Sequence, residues 1–227
     1  MFAALIVLSL AYLIGSIPTS IIVGKVLRGI DIREHGSGNA GGTNVFRVLG
    51  WKPGLFVTLV DVFKGFVAAF WLPQWIAPNL ADPHLLQLGA GIAAVFGHIW
   101  TIFAGFRGGK GVGTAAGMLL ALFPEAVLYC FLIFGAVLLA TRIVSLSSIS
   151  AAIAFPLILT IFRYGIGREV PLPFYLFSFF AAALIVYTHR ANIKRLLNGT
   201  ENRFGRPKPQ GERTPMADSI RLFFLGT

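Results

Sequence analysis

From Met1 to Val23 the chain carries no charge, and apolar runs of similar character recur along it as far as Tyr187. A hydrocarbon layer offers the backbone no water, so only helices or closed barrels cross it. Runs of this length without two-residue alternation select helices. The 227 residues are 56% hydrophobic and 12% charged, which excludes an ordinary soluble domain. The fold class expected is therefore all-α and integral to a membrane.

The formal charge of +10 suits cytoplasmic loops, anionic lipid headgroups and anionic substrates. It is dispersed among the spans and forms no long basic face, so no nucleic-acid partner is expected. The single cysteine, Cys130, sits in an apolar run, which leaves no disulfide framework and no cysteine metal site.

No positive charge precedes Lys25, so the first run is expected to stay as a span and not to be cleaved as a signal peptide. Lys25, Arg28 and Arg33 follow it, which places the N-terminus outside and the first loop in the cytoplasm. Pro18 is expected to kink this helix. A second span runs from Trp51 to about Trp75 with Asp61 and Lys64 on one face inside it, a costly pair that must meet each other or a polar interior. The link 77–84 carries only Asp82 and suits the outer face. A third span covers about Leu85 to Phe103.

From Thr114 to Ala140 the chain is apolar but interrupted at Phe123-Pro124-Glu125. As one span it gives six in all; as a short half-span and a second helix it gives seven. Seven is preferred, because it brings Arg190, Lys194, Arg195, Arg203, Arg206, Lys208 and Arg213 to the cytoplasm. Arg163 and Arg168 then fall outside, against the trend. The expectation is a bundle of about seven helices spanning residues 1–201, followed by a flexible basic tail over 202–227 with no evident chemistry.

Three polar segments interrupt this frame. The first is G-S-G-N-A-G-G-T-N-V-F-R, from Gly36 to Arg47. Glycines let successive N–H groups turn toward an anion, Ser37, Asn39, Thr43 and Asn44 add donors, and Arg47 matches phosphate geometry. Its literal G-x-G-x-x-G (Gly36, Gly38, Gly41) lacks the preceding strand that a dinucleotide fold requires. The second segment is G-H-I-W-T-I-F-A-G-F-R-G-G-K-G-V-G-T, from Gly97 to Thr114. Ala104 and Gly111 rule out a Walker A loop, yet Arg107 and Lys110 among Gly108, Gly109 and Gly111 still spell an anion site. The third, H-R-A-N-I-K-R-L-L-N-G-T-E, runs from His189 to Glu201 and puts His189 and Asn192 on one helix face. Ser145 and Ser148, from S-L-S-S-I-S, either pack helices or reach the polar pocket.

These three blocks, in this order, with D-V-F-K-G and T-R-I-V-S-L-S-S-I between them, resemble the signature of the bacterial acyl-phosphate:glycerol-3-phosphate acyltransferases over roughly Met1 to Glu201. The family usually has Pro at Ala40 and Ala at Gly42 and Gly113. The resemblance implies transfer of a fatty acyl group from acyl phosphate to the 1-hydroxyl of glycerol 3-phosphate. Lysophosphatidate and phosphate would be the products, at the start of phospholipid synthesis.

It further implies a multi-pass protein of the bacterial inner membrane with its site on the cytoplasmic side. The expected partners are the two substrates and membrane lipid, and the expected unit is a monomer. No cofactor or metal is expected, and turnover should be insensitive to chelators. Catalytic roles are expected for Ser37, Lys110, His189 and Asn192. Binding roles are expected for Gly36, Gly38, Asn39, Thr43, Asn44, Arg47, His98, Arg107, Gly108, Gly109, Gly111, Thr114, Ser145, Ser148 and Glu201.

The N–H groups of Gly108 to Gly111 are expected on phosphate and the developing oxyanion, with His189 and Asn192 orienting glycerol 3-phosphate. His189 is the candidate general base, with His98 as the alternative. Ser37 as a nucleophile remains open, but no Ser-His-Asp spacing supports it. The competing class is a transporter for a phosphorylated solute, which would be favoured by repeated halves that the sequence does not display. A CDP-alcohol phosphotransferase would need clustered aspartates, and a structural scaffold would leave the basic loops unexplained.

Overall fold

The computed structural model describes residues 2–78 and 83–204, and every regular element among them is helical. The expected outer Asp82, the tail cations Arg206, Lys208 and Arg213, and the closing S-I-R-L-F-F-L lie outside the described residues. Residues up to Val127 form one compact unit and those from Leu128 another.

The first unit opens with α1 (Phe2–Ser16) and α2 (Thr19–Arg28). At Pro18, where a bend was expected, the helical bonding is interrupted between α1 and α2, and α2 continues beyond Val23 to Arg28. Proline has no N–H to give the Ile14 carbonyl. Ile17 N–H turns back to Ile14 at 3.2 Å instead, and Thr19 N–H bonds the Ile17 carbonyl at 3.0 Å. A 3-10 turn (Ile32–Glu34) and α3 (Gly42–Leu49) follow. Next come α4 (Trp51–Ala69), α5 (Trp71–Ile76) and α6 (Pro83–Ile99). A 3-10 turn (Ile102–Ala104) then leads to α7 (Val112–Leu122).

Two helix pairs in this unit approach closely enough that only glycine fits. Between α1 and α6, a β-carbon on Gly15 would collide with the Ala94 carbonyl, and one on Gly97 with the Tyr12 carbonyl. Between α4 and α7, Gly65 meets the Thr114 carbonyl and Gly117 the Val62 carbonyl in the same way. Small residues at helix contacts are the usual route to tight packing in lipid, where apolar side chains gain little by leaving lipid for one another. Val7, Ala11, Ala68, Leu72, Leu86, Ala90 and Ala94 fill the core beside them.

The interruption at Phe123-Pro124 ends α7 after 11 residues, and α8 (Pro124–Thr141) restarts at once. At 1.5 Å per residue α7 is about 16 Å long, half of a hydrocarbon core. It is a short helix, as expected from the interruption in the sequence, and it packs against α4.

The second unit continues with α9 (Val144–Thr160), a π-helical turn (Ile161–Gly165), α10 (Leu172–Thr188) and α11 (Arg190–Leu197). Thr160 and Tyr175 share a hydrogen bond of 3.1 Å between α9 and α10, and Arg163 donates to the Val170 carbonyl. At His189 the chain turns by 61° from α10 into α11. Residues 202–204 remain attached, since Phe204 N–H donates to the Arg142 carbonyl at 2.6 Å.

Five stretches are long and apolar enough to cross a membrane: 2–28, 51–76, 83–104, 124–141 and 144–165. Counted as one span, the bent pair α10–α11 would make a sixth among the described residues, and α7 is a shorter apolar helix. Gly117→Ala should destabilise the fold by about 1–3 kcal/mol through overpacking, seen as a lower melting temperature in detergent. Gly135→Ala, where a β-carbon meets nothing within 4 Å, should leave melting unchanged or raise it, since alanine is the better helix former.

Candidate active site

The first glycine segment is shaped by two side chains. Asp31 accepts the Arg33 backbone N–H at 2.9 Å and caps the short turn that follows it. The Arg33 guanidinium returns to the same carboxylate, with Nε–Oδ1 at 3.0 Å and Nη2–Oδ2 at 2.7 Å. Its remaining nitrogen, Nη1, donates to the carbonyls of Ala104 at 2.9 Å and Arg107 at 3.2 Å. One arginine therefore ties the first glycine segment to the second. Hydrogen bonding to Arg33 holds the Asp31 carboxyl down to about 2, and Asp31 in turn raises the pKa of Arg33.

Asn44 is the second shaping residue. It is 1% exposed; its amide donates to the carbonyls of Ile32 and His35, each at 2.9 Å. Its oxygen accepts the Ser37 backbone N–H at 2.8 Å and Arg47 Nη1 at 3.3 Å. Asn44 was expected to donate to phosphate, but both amide hydrogens are already taken by the chain. It organises the loop. Gly36 and Gly38 have φ of +62° and +73°, and a β-carbon on Gly36 would collide with Asn44 Oδ1. Ser37, Asn39 and Thr43 are half-buried along this loop, and Arg47 is exposed.

The second segment folds back over the end of α6. Thr101 Oγ1 donates to the Ser16 carbonyl, and Phe106 N–H bonds Thr101 at 2.8 Å. Gly108 N–H donates to Ile99 at 3.0 Å, and Gly109 N–H to His98 at 3.1 Å. This corrects the expected anion role of those two amides. They hold the hairpin, and Gly108 and Gly109 are small because a β-carbon on either would overlap His98. Gly111, at φ +82°, starts α7, whose first-turn amides have no partner within the helix. Lys110 is half-buried beside them and Arg107 is exposed. Thr114 is fully buried, and its hydroxyl has no hydrogen-bond partner among the described residues.

Beneath both loops lies a small cavity lined by Ile17, Asp61, Lys64, His98, Thr101 and Gly109. The intramembrane pair expected at Asp61 and Lys64 is present, with Nζ–Oδ1 at 2.8 Å. Lys64 Nζ also donates to the Ile17 carbonyl at 3.1 Å, at the Pro18 break. His98 Nδ1 stands 3.6 Å from the same Asp61 oxygen.

In the second unit the third segment gathers on Glu201. Its Oε1 accepts Asn192 Nδ2 at 2.7 Å and Ser145 Oγ at 3.0 Å, and its Oε2 accepts Arg195 Nε at 2.6 Å. Glu201 is thus a hub for three donors within the chain. The Ser148 hydroxyl donates back to the Val144 carbonyl at 3.0 Å. His189 is 2% exposed, and its Nδ1 faces the Ile185 carbonyl at 2.8 Å. Nδ1 therefore carries the proton in the neutral ring, which makes Nε2 the acceptor. No group of His, Cys, Asp and Glu able to hold a metal occurs among the described residues.

Sequence reasoning missed Arg33 as the tie between loops, although D-I-R places acid and base close enough to clasp. It also missed Ser16, which has no charge or motif to mark it, and Thr101, which sits in the second segment among its glycines and cations.

The fold and site define a class: a polytopic helical membrane protein with paired basic, glycine-rich loops. Residues 5–199 match the family model described as glycerol-3-phosphate acyltransferase. The glycerol-3-phosphate acyltransferase of Chlorobaculum tepidum is 52% identical over 230 residues, covering 91% of this chain and 99% of that protein. That of Chlorobium phaeobacteroides (strain BS1) is 50% identical over 229 residues, covering 89% and 97%. Crystal structures of PlsY (YgiH), an integral membrane glycerol 3-phosphate acyltransferase, align at 40% identity over 89% of this chain. The glycerol 3-phosphate form gives a TM-score of 0.78 over 96% of its chain, and the lysophosphatidic acid form 0.75 over 95%. This chain belongs to the glycerol-3-phosphate acyltransferase family.

The Asp31–Arg33 clasp sets a pH dependence. The folded carboxyl titrates at about 2, below its unfolded value near 4. Its stabilisation is thus complete above about pH 4 and lost as pH falls toward 2. Asp31→Asn should melt below the parent at pH 6, and the two midpoints should converge on acidification to pH 2.

Proposed function

We propose that this protein transfers a fatty acyl group from acyl phosphate to the 1-hydroxyl of glycerol 3-phosphate, releasing lysophosphatidate and inorganic phosphate. The observation that carries this is the family match over residues 5–199, joined to relatives solved in glycerol 3-phosphate and lysophosphatidic acid forms. The hydroxyl oxygen bonds the acyl carbon, the carbon–oxygen bond to phosphate breaks, and the departing phosphate takes the hydroxyl proton. No acyl-enzyme is needed, since the donor is already activated.

Two phosphorylated substrates repel one another, and fixed cations offset that repulsion while setting orientation. In the first unit Arg47, Arg107 and Lys110 supply the charge, Ser37 adds a hydroxyl, and the first-turn amides of α7 offer donors to an anion. In the second unit Asn192 and Arg195 are braced by Glu201. The setting is the bacterial inner membrane, with the N-terminus outside, the basic loops in the cytoplasm, and the protein working as a monomer.

The test is phosphate release by the purified protein in lipid vesicles, given palmitoyl phosphate with and without glycerol 3-phosphate. Release should require glycerol 3-phosphate and be matched by lysophosphatidate. Passage of labelled glycerol 3-phosphate into sealed vesicles without acyl transfer would instead mean a transporter. Lys110→Met should lower kcat/KM by roughly 100-fold, the scale of losing one preorganised donor to developing charge.

A further inference from the structure

Three buried side chains beneath the glycine loops are not used in the transfer step proposed above, although the sequence offers His98 as an alternative base. Asp61 and Lys64 come from α4 and His98 from the end of α6, and none is more than 8% exposed. Asp61 holds Lys64 at 2.8 Å and lies 3.6 Å from His98 Nδ1, while Lys64 extends to the Ile17 carbonyl. His98 is the member that meets both loops. Its carbonyl accepts Gly109 N–H, and the following carbonyl, of Ile99, accepts Gly108 N–H. A β-carbon on Gly109 would press on both His98 Nε2 and the Ala40 carbonyl, so the ring, the second loop and the first loop meet at one point.

A buried ion pair is a weak source of stability, because desolvation offsets the attraction, and apolar residues of equal volume often do as well. Charges within a membrane are costlier still. What such a pair can supply is a fixed geometry. Asp61 stands within reach of one ring nitrogen of His98, the other faces Gly109, and Lys64 anchors the set to the break in the first span.

We propose that Asp61, Lys64 and His98 form a positioning relay that seats Gly108, Gly109 and hence Lys110 against the first loop, without touching substrate. The relay deepens the acyltransferase reading and rests on it only for its kinetic consequence.

Asparagine and glutamine separate the two edges of the ring. His98→Asn keeps a polar atom near the δ position toward Asp61 and loses the edge on Gly109, whereas His98→Gln keeps a nitrogen near the ε position. Hydrogen–deuterium exchange of the full-length protein in detergent reads the loop directly. Asp61→Asn and His98→Asn should raise exchange at Gly108 and Gly109 roughly tenfold, with peptides from α9 unchanged and His98→Gln closer to the parent. In turnover assays the same variants should raise KM for a phosphorylated substrate roughly tenfold, with kcat held within about threefold.

Parental exchange and parental KM in both variants would overturn the relay. So would a collapse of kcat at unchanged KM, which would make His98 a catalytic residue. Should Asp61→Asn fail to fold, the double variant Asp61→Asn/Lys64→Met, which leaves no unpaired charge, gives the same two readouts. Absence of turnover by the parent would count against the acyltransferase reading, and exchange would still decide the relay.

Discussion

Pro18 removes one N–H from the middle of a membrane-length helix, and much of the first unit is arranged around the consequence. In lipid a backbone carbonyl without a partner is expensive. The chain answers with short local bonds at Ile14 and Ile17 and with the ammonium of Lys64. That ammonium needs a counter-charge, which Asp61 provides one helical turn away on the same face. The carboxylate then has His98 beside it, and His98 carries the loop. Each group is tolerated at that depth because the next one compensates it.

Above this centre the two glycine segments are held from within. Arg33 and Asn44 use their hydrogen-bonding capacity on the chain itself, and the hairpin over α6 consumes the amides of Gly108 and Gly109. The cations Arg47 and Arg107 thus stand on loops whose shape is already set. Preorganisation of this kind avoids paying reorganisation energy at the moment charge develops. The division of labour is chemical: side chains that keep the loop in shape are fixed to the backbone, while Arg47 and Arg107 stand exposed.

The spans were legible because apolar length is a one-dimensional property. Pro18 announced an interrupted helix and Phe123-Pro124 a helix end, since proline acts on its own helix. How far α2 would continue beyond the break was not legible, because lipid and tertiary contacts decide it. In the site, the cations and the Asp61–Lys64 pair could be read from charge and spacing. The partners of the amides could not, because they depend on the second loop folding back on α6. Asn44 in a glycine loop reads equally as a donor to a ligand or to the chain. Glu201 takes Ser145 from 56 residues away, a distance at which no local pattern speaks. The Ser148 hydroxyl is turned back on its own helix.

The close helix contacts carry a genetic corollary. Every codon for glycine begins GG, so any coding change at its first or second base installs a residue with a β-carbon or ends translation. At Gly15, Gly65, Gly97 and Gly117 that added carbon would strike the backbone of the facing helix. Backbone cannot step aside as a side chain can. These codons therefore tolerate only third-base drift, and the spacing between the paired helices is written into the gene as positions with no acceptable neighbour in sequence space.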